Sequence, residues 1–123
     1  MSEDQLAQFQ KKSFINLETF YPSGKGVKTP VWFVEDGGML YVRTVDDSWK
    51  VRRIRQTAQV NIVPSNAQGT PMGEWIPGTA QVVDTDTHQR VNKLMNKKYG
   101  LQKKAFDLMG RKHTHVTLGI SLS

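Results

Sequence analysis

The chain has 123 residues and no cysteine, and its 17 basic and 11 acidic side chains give a formal net charge of +6. The lack of cysteine excludes disulfides, zinc–thiolate sites and thiol catalysis, and makes a reducing cytoplasm the expected location. The length suits one domain over 1–123, no apolar run approaches the ~18 residues of a membrane span, and the positive charge favours an anionic partner.

The first part of the chain predicts a short helix followed by strands. Ser2 and Gln5 have capping-box spacing, so a helix is expected to reach about Lys12. Alternating residues over 13–20 predict a strand that ends at the turn signal 21–26. The segment 27–35 is the next predicted strand. Pro30 within it indicates an edge, a bulge or a bend, because proline donates no ladder hydrogen bond.

A hairpin turn at 36–38 leads to a returning strand over 39–44. Asp47 or Ser48 can then cap a short helix that continues to residue 56. A strand over 58–64 and a loop follow. The segment 74–83 predicts a long strand that is broken near Pro77 and Gly78.

The segment 84–99 is the clearest helix, with Asp84 or Asp86 as its cap and Gly100 as its stop. A second short helix is predicted over 101–110, and strict alternation of Val116, Leu118, Ile120 and Leu122 predicts a strand within 113–123. Six strands joined mostly by short turns predict a mainly antiparallel sheet. The expected fold is mainly β with short helices, a closed or nearly closed six-stranded barrel.

The stretch RTVDDSWKVRRIR, residues 43–55, concentrates five basic side chains around the predicted helix start. A helix start offers free backbone N–H groups and a partial positive charge, which suit an anion. Ser48 can add a hydroxyl, Lys50 lies in the first turn, and Arg53 follows on the same face. These residues outline a phosphate site, and a solvated basic helix is the competing interpretation.

Nucleic acid is the main rival partner for this charge. The chain lacks the RNA-recognition, GXXG and zinc-finger signatures, so no nucleic-acid partner is expected. His113 and His115 share one strand face, but a metal needs a third ligand, so they are interpreted as surface histidines and no metal site is expected. The basic segment 93–112 is interpreted as a solvated helical face on which an anionic tail can lie.

Three segments carry a resemblance to a known family: GVKTPVWFVEDGGMLYVRT, DSWKVRRIRQTAQVNIVPSNAQG and GTAQVV followed by KKYGLQKKAFDLMGR. From about Phe14 onward the chain resembles the split β-barrel flavin and deazaflavin oxidoreductases. These form the pyridoxamine 5′-phosphate oxidase-like superfamily. The similarity is greatest to its small coenzyme F420-dependent branch.

The resemblance implies a homodimer of six-stranded FMN-binding split barrels with cofactor sites at the dimer interface. It implies that one strand runs beside the tricyclic ring and that the strand end and helix start after it hold the phosphate. Trp75 is interpreted as reaching a cofactor in the other subunit. The implied cofactor-binding residues are Lys28, Thr29, Pro30, Val31, Trp32, Arg43, Thr44, Ser48, Trp49, Lys50 and Arg53.

Coenzyme F420 is the favoured cofactor and FMN the alternative, since the excess of positive charge suits the carboxylate tail of F420. The implied activity is hydride transfer to a small electrophilic substrate. A non-catalytic flavin-binding or carrier protein of the same fold is the other reading. No catalytic residue stands out, and Tyr21 and Tyr41 are only candidate proton donors. Pyridoxamine phosphate oxidation itself is not expected, because no Arg- and Trp-bearing segment follows GISLS.

Overall fold

The structure is a computed structural model that describes residues 3–46, 48–100 and 114–122. These residues form a mainly β fold with short helices, and the predicted fold class is confirmed in that respect. The helices and strands, in chain order, are α1 Glu3–Ala7, β1 Phe14–Phe20, β2 Gly26–Trp32, β3 Val34–Asp36, β4 Met39–Val45, α2 Trp49–Gln56, β5 Gln59–Ser65, β6 Ile76–Val82, α3 Thr85–Tyr99 and β7 His115–Leu122.

All the described strands belong to one antiparallel sheet in the order β2-β1-β5-β6-β7-β4-β3. The two edge strands, β2 and β3, are separated in the chain by Phe33 alone. Opposite edges of a sheet can be joined by one residue only if the sheet curls back on itself. The result is a curled half-barrel with β2 and β3 at its two edges.

The sheet has seven strands, so the expected count of six is wrong. The segment 27–35 was predicted as one strand, but its backbone leaves the ladder at Phe33. Before this residue β2 pairs with β1, and after it β3 pairs with β4. The proline rule is confirmed, because Pro30 lies in the edge strand β2.

The predicted break near Pro77 and Gly78 is also wrong, since β6 runs through both residues. Pro77 pairs with Asn61 of β5, while pairing with β7 starts only at Gly78. The missing N–H of the proline therefore costs no hydrogen bond to β7. Gly78 fits because a Cβ there would lie 2.8 Å from the carbonyl oxygen of Ser121.

The core lies inside the curled sheet, where alternate residues of each strand meet. The buried residues of this main core include Ile15, Leu17, Leu40, Val42 and Ile62. Helix α2 closes one side through Val51 and Ile54. On the outer face, α3 packs a second cluster that comprises Val34, Tyr41, Val91, Met95 and Tyr99.

The helix ends follow the expected capping chemistry. Ser48 is the N-cap of α2, and Asp84 is the N-cap of α3, where its carboxylate accepts the Thr87 N–H at 2.8 Å. Gly100 ends α3 with a φ of 55°. Ser2, Asp47 and the helix predicted over 101–110 lie outside the described residues, and no described helix is long and apolar enough to span a membrane.

Candidate functional site

The start of α2 has the geometry of an anion site. The Ser48 hydroxyl oxygen accepts the N–H of Val51 at 3.4 Å and keeps its own proton to donate. The N–H groups of Trp49 and Lys50 lie in the first turn, where a helix supplies no carbonyl partner. This helix end therefore presents backbone donors, a hydroxyl and a partial positive charge together.

Two cations lie on the inner face of the same helix. Arg53 is only 5% exposed, and its Nε donates to Thr19 Oγ1 at 2.6 Å. Lys50 is half-buried, and burial together with the neighbouring Arg53 lowers the pKa of its ammonium group. Among the described residues, no carboxylate lies within ion-pair distance of either cation. Buried charges are normally paired, and an anion would complement these two cations.

The other two arginines of the helix have different surroundings. Arg55 forms an ion pair with Asp46 at 2.8 Å, and both side chains are exposed. The guanidinium of Arg52 lies 4.9 Å from the ring centroid of Trp49, whose side chain is 66% exposed. Arg52 and Arg55 thus belong to the solvated side, whereas Lys50 and Arg53 face the protein.

Of the two predicted site residues at the end of β4, Arg43 and Thr44, only Thr44 lies on the core face of the sheet. Thr44 is buried and alternates with Val42, which belongs to the main core. Arg43 points to the opposite face, where it pairs in register with Thr117 of β7. The structure therefore does not bring the Arg43 side chain to the face that holds Thr44.

The predicted residues of β2 also divide between two faces. Val31 packs against the main core, and Thr29 shares its face. Lys28, Pro30 and Trp32 point outward. The Lys28 ammonium lies 5.0 Å from the ring centroid of Trp75, within cation–π range.

Strand register shows where the contact between α2 and β1 lies relative to β2. Thr19, which binds Arg53, pairs with Val27 of β2, so this contact lies one residue along the strand from Lys28. The side of β2 away from β1 has no strand partner among the described residues. The contact between β1 and α2 therefore lies close to the amino-terminal end of β2.

Sequence reasoning missed Thr19 as a partner of Arg53, and it considered Tyr21 only as a proton donor. The guanidinium of Arg53 lies 5.4 Å from the Tyr21 ring centroid. These contacts join residues more than thirty positions apart, and no local pattern encodes such a register. Tyr21 and Thr19 mark where the end of β1 meets α2.

The histidines lie elsewhere. His88 Nδ1 is 2.6 Å from Thr117 Oγ1 between α3 and β7, His115 is in β7, and His113 lies outside the described residues. Within the described ranges, no group of three or more His, Cys, Asp or Glu side chains is placed to hold a metal ion. The predicted basic face over 93–112 is described only up to Gly100, and within it Lys98 is exposed while its Nζ donates to the Phe33 carbonyl oxygen at 2.8 Å.

Comparison with known proteins gives matches in structure alone, because no family model and no curated protein matches the sequence. A proposed pyridoxamine 5′-phosphate oxidase from Listeria innocua has a TM-score of 0.71 and 17% identity, with 98% of this chain and 92% of that chain covered. The heme storage protein HutZ from Vibrio cholerae has a TM-score of 0.73 and 15% identity, with 98% and 89% covered.

An F420 reductase is also similar, with a TM-score of 0.62 and 17% identity, and the match covers all of this chain and 96% of that chain. Identities this low establish a common fold and leave activity open. The resemblance drawn from the sequence is confirmed at that level. The chain has the split-barrel fold of the pyridoxamine 5′-phosphate oxidase-like proteins.

Proposed function

We propose that the chain is an oxidoreductase that binds coenzyme F420, with FMN as the alternative, and transfers hydride to a small electrophilic substrate. The protein acts as a homodimer in the cytoplasm. The observation that carries the proposal is the pair Lys50 and Arg53, two partly or fully buried cations that face no carboxylate among the described residues. Lys50 lies in the first turn of α2 and Arg53 follows on the same face, and a phosphate is the anion that this arrangement suits best.

The donors at this site fit a phosphate group. The first-turn N–H groups of α2 and the Lys50 ammonium can only donate hydrogen bonds. The Ser48 hydroxyl can donate one as well. Arg53 adds a guanidinium, whose planar fork matches phosphate geometry. A phosphate would also supply the negative charge that this buried pair lacks, which reduces the cost of keeping it out of water.

In this proposal the residues have separate tasks. Ser48, Trp49 and Lys50 bind the phosphate, Thr44 lines the strand end before them, and the exposed backbone edge of β2 lies beside the ring. The curled sheet excludes water from one side of that edge. When bound, the cofactor supplies the hydride chemistry, and the protein supplies orientation and electrostatics.

The choice of F420 over FMN is supported by charge alone. Both cofactors carry a tricyclic ring, a ribityl chain and a phosphate, and F420 adds a tail with several carboxylates. The net charge of +6 favours the more anionic molecule. F420 reductase similarity is consistent with this choice, although the likeness is one of fold.

Lys50→Ala tests the phosphate site. We expect this variant to bind FMN or coenzyme F420 with about 5- to 150-fold lower affinity, the equivalent of the ~1–3 kcal/mol that a charged hydrogen bond contributes. Arg52→Ala is the matched control, because Arg52 is exposed on the same helix and faces away from the site. Affinities are measured from the absorption and fluorescence changes of each cofactor.

Equal affinities for the wild type and Lys50→Ala would show that the phosphate is held elsewhere. Tight cofactor binding without turnover over a panel of electrophilic acceptors would favour a carrier protein of the same fold. Tight, steeply salt-dependent binding of oligonucleotides without cofactor binding would favour a nucleic-acid partner instead.

A further inference from the structure

The corner between β2 and β3 consists of Phe33, which belongs to neither strand. Its side chain is 1% exposed and packs in the main core, where it meets Phe9 edge-to-face with ring centroids 6.0 Å apart. The backbone N–H and C=O of Phe33 have left the ladder. Buried backbone groups that lose their strand partners must bond elsewhere, and here they bond to side chains of α3.

Two residues in the last turn of α3 satisfy these groups. The Phe33 N–H donates to the Tyr99 phenol oxygen at 3.0 Å, and Lys98 Nζ donates to the Phe33 carbonyl oxygen at 2.8 Å. The Tyr99 hydroxyl lies 2.8 Å from the Ser13 carbonyl oxygen and 2.7 Å from that of Phe33. When Tyr99 donates to Ser13, each group at the corner has a partner.

Ring contacts add to these hydrogen bonds. Trp32, the last residue of β2, stacks on Tyr99 with centroids 4.3 Å apart and planes 9° apart. The Lys98 ammonium lies 3.7 Å from the centroid of the Phe33 ring. The end of α3 thus contacts both the backbone and the side chains of the corner.

An edge strand needs such support more than an inner strand does. β2 is hydrogen-bonded to β1 along one side only, and its other side lacks a strand partner among the described residues. The position of the carboxyl end of β2 therefore depends on the contacts that α3 makes with the Phe33 corner. Helix α3 is itself anchored on the sheet through Val91 and Met95.

We propose that Lys98 and Tyr99 are positioning residues for the cofactor: they hold the Phe33 corner and so fix the edge of β2 against which the ring lies. This inference rests on the proposed function, in which the backbone of β2 borders the tricyclic ring. Neither residue contacts the cofactor in this scheme. Both act through the backbone of Phe33.

Tyr99→Phe is the main test, because it removes the hydroxyl and keeps the stacking ring. We expect hydrogen exchange of the Phe33 amide, followed by NMR, to accelerate by about tenfold or more, since a buried donor loses its acceptor. We expect the affinity for FMN or coenzyme F420 to fall by at least about fivefold. Lys98→Met should also weaken binding, and Lys98→Arg should restore it, because arginine keeps a donor for the Phe33 carbonyl.

Ile120→Val is the control for general destabilisation. Ile120 of β7 is fully buried in the main core and takes no part in the hydrogen bonds at Phe33. We expect this variant to unfold at lower urea concentration than the wild type and to bind the cofactor with unchanged affinity. If it loses as much affinity as Tyr99→Phe while still folded, the effect is one of stability and the positioning role is wrong.

Two other outcomes would also overturn the inference, and they are distinguishable. Faster Phe33 exchange in Tyr99→Phe with wild-type affinity would show that the corner does not set the cofactor edge. Failure of the wild type to bind either cofactor would reject the proposed function itself, and the positioning role with it.

Discussion

Lys98 and Tyr99 are neighbours whose ionisable groups respond to the same burial in opposite directions. Burial lowers the pKa of the Lys98 ammonium to about 8, because the charged form is the protonated one. Burial raises the pKa of the Tyr99 phenol, whose charged form is the deprotonated one, and the hydrogen bond with Phe33 offsets part of that rise. Both shifts favour a neutral corner at alkaline pH.

The lowered pKa of Lys98 predicts a pH-dependent stability. Below about pH 8, Lys98 is protonated in both states, and the folded state bears the cost of partly desolvating its ammonium group. Between about 8 and the ordinary value of 10.5, the unfolded state holds more protons, so the free energy of unfolding should rise with pH. Urea titrations from about pH 7 to about pH 10 should show the free energy of unfolding of the wild type rising relative to that of Lys98→Met.

A difference that stays flat over this range would show that Lys98 titrates normally. The Tyr99 phenol has the opposite effect. Because its pKa is raised in the folded state, the free energy of unfolding should fall as the pH rises above the usual tyrosine value of 10.0. That contribution is common to both proteins and cancels in the comparison.

For Arg53, the sequence predicts the helix face on which the residue lies but not its burial. Its spacing from Lys50 placed it on one helix face with that lysine, which was enough to outline an anion site. Its 5% exposure and its bond to Thr19 depend on where β1 lies beside α2, and no local pattern contains that distance. The residue types of the site were therefore predictable, while the burial that makes them informative was not.

At the scale of elements, Gly78 allows β6 to pack closely against β7, although the sequence predicted a break in the strand at this position. Gly78 faces the backbone of Ser121, and a Cβ there would come within 2.8 Å of its carbonyl oxygen. Gly78→Ala should therefore lower the free energy of unfolding by about 1–3 kcal/mol through overpacking. Urea denaturation measures this loss.

Gln81→Ala is the control on the same strand, because Gln81 is exposed. It should change the free energy of unfolding by no more than about 0.5 kcal/mol. A Gly78→Ala variant as stable as this control would mean that β6 and β7 can separate at no cost.

Element boundaries were predictable where local chemistry sets them. The Ser48 and Asp84 caps and the Gly100 stop lie where side-chain and backbone preferences placed them. The division of segment 27–35 into β2 and β3 was not, because alternation continues through Phe33 and only the curl of the sheet separates the two strands. The curl of the sheet, a long-range feature, therefore divides a segment that its local pattern predicts as one strand.

At the scale of the molecule, the proposed homodimer predicts a sedimentation mass near twice the 14.0 kDa of one chain. Sedimentation equilibrium over a range of concentrations measures the mass. A value of one chain at micromolar concentration would contradict an interface site for the cofactor.

The position of β7 in the sheet has a consequence for the newly made chain. β7 lies between β6 and β4, and it pairs Ile120 with both Ala80 and Leu40. During synthesis β4 and β6 leave the ribosome first, so each exposes an open edge until residues 115–122 follow. Open edges invite pairing between chains, and contacts of such long sequence separation form slowly. The nascent protein is therefore most vulnerable to aggregation just before its last described strand arrives.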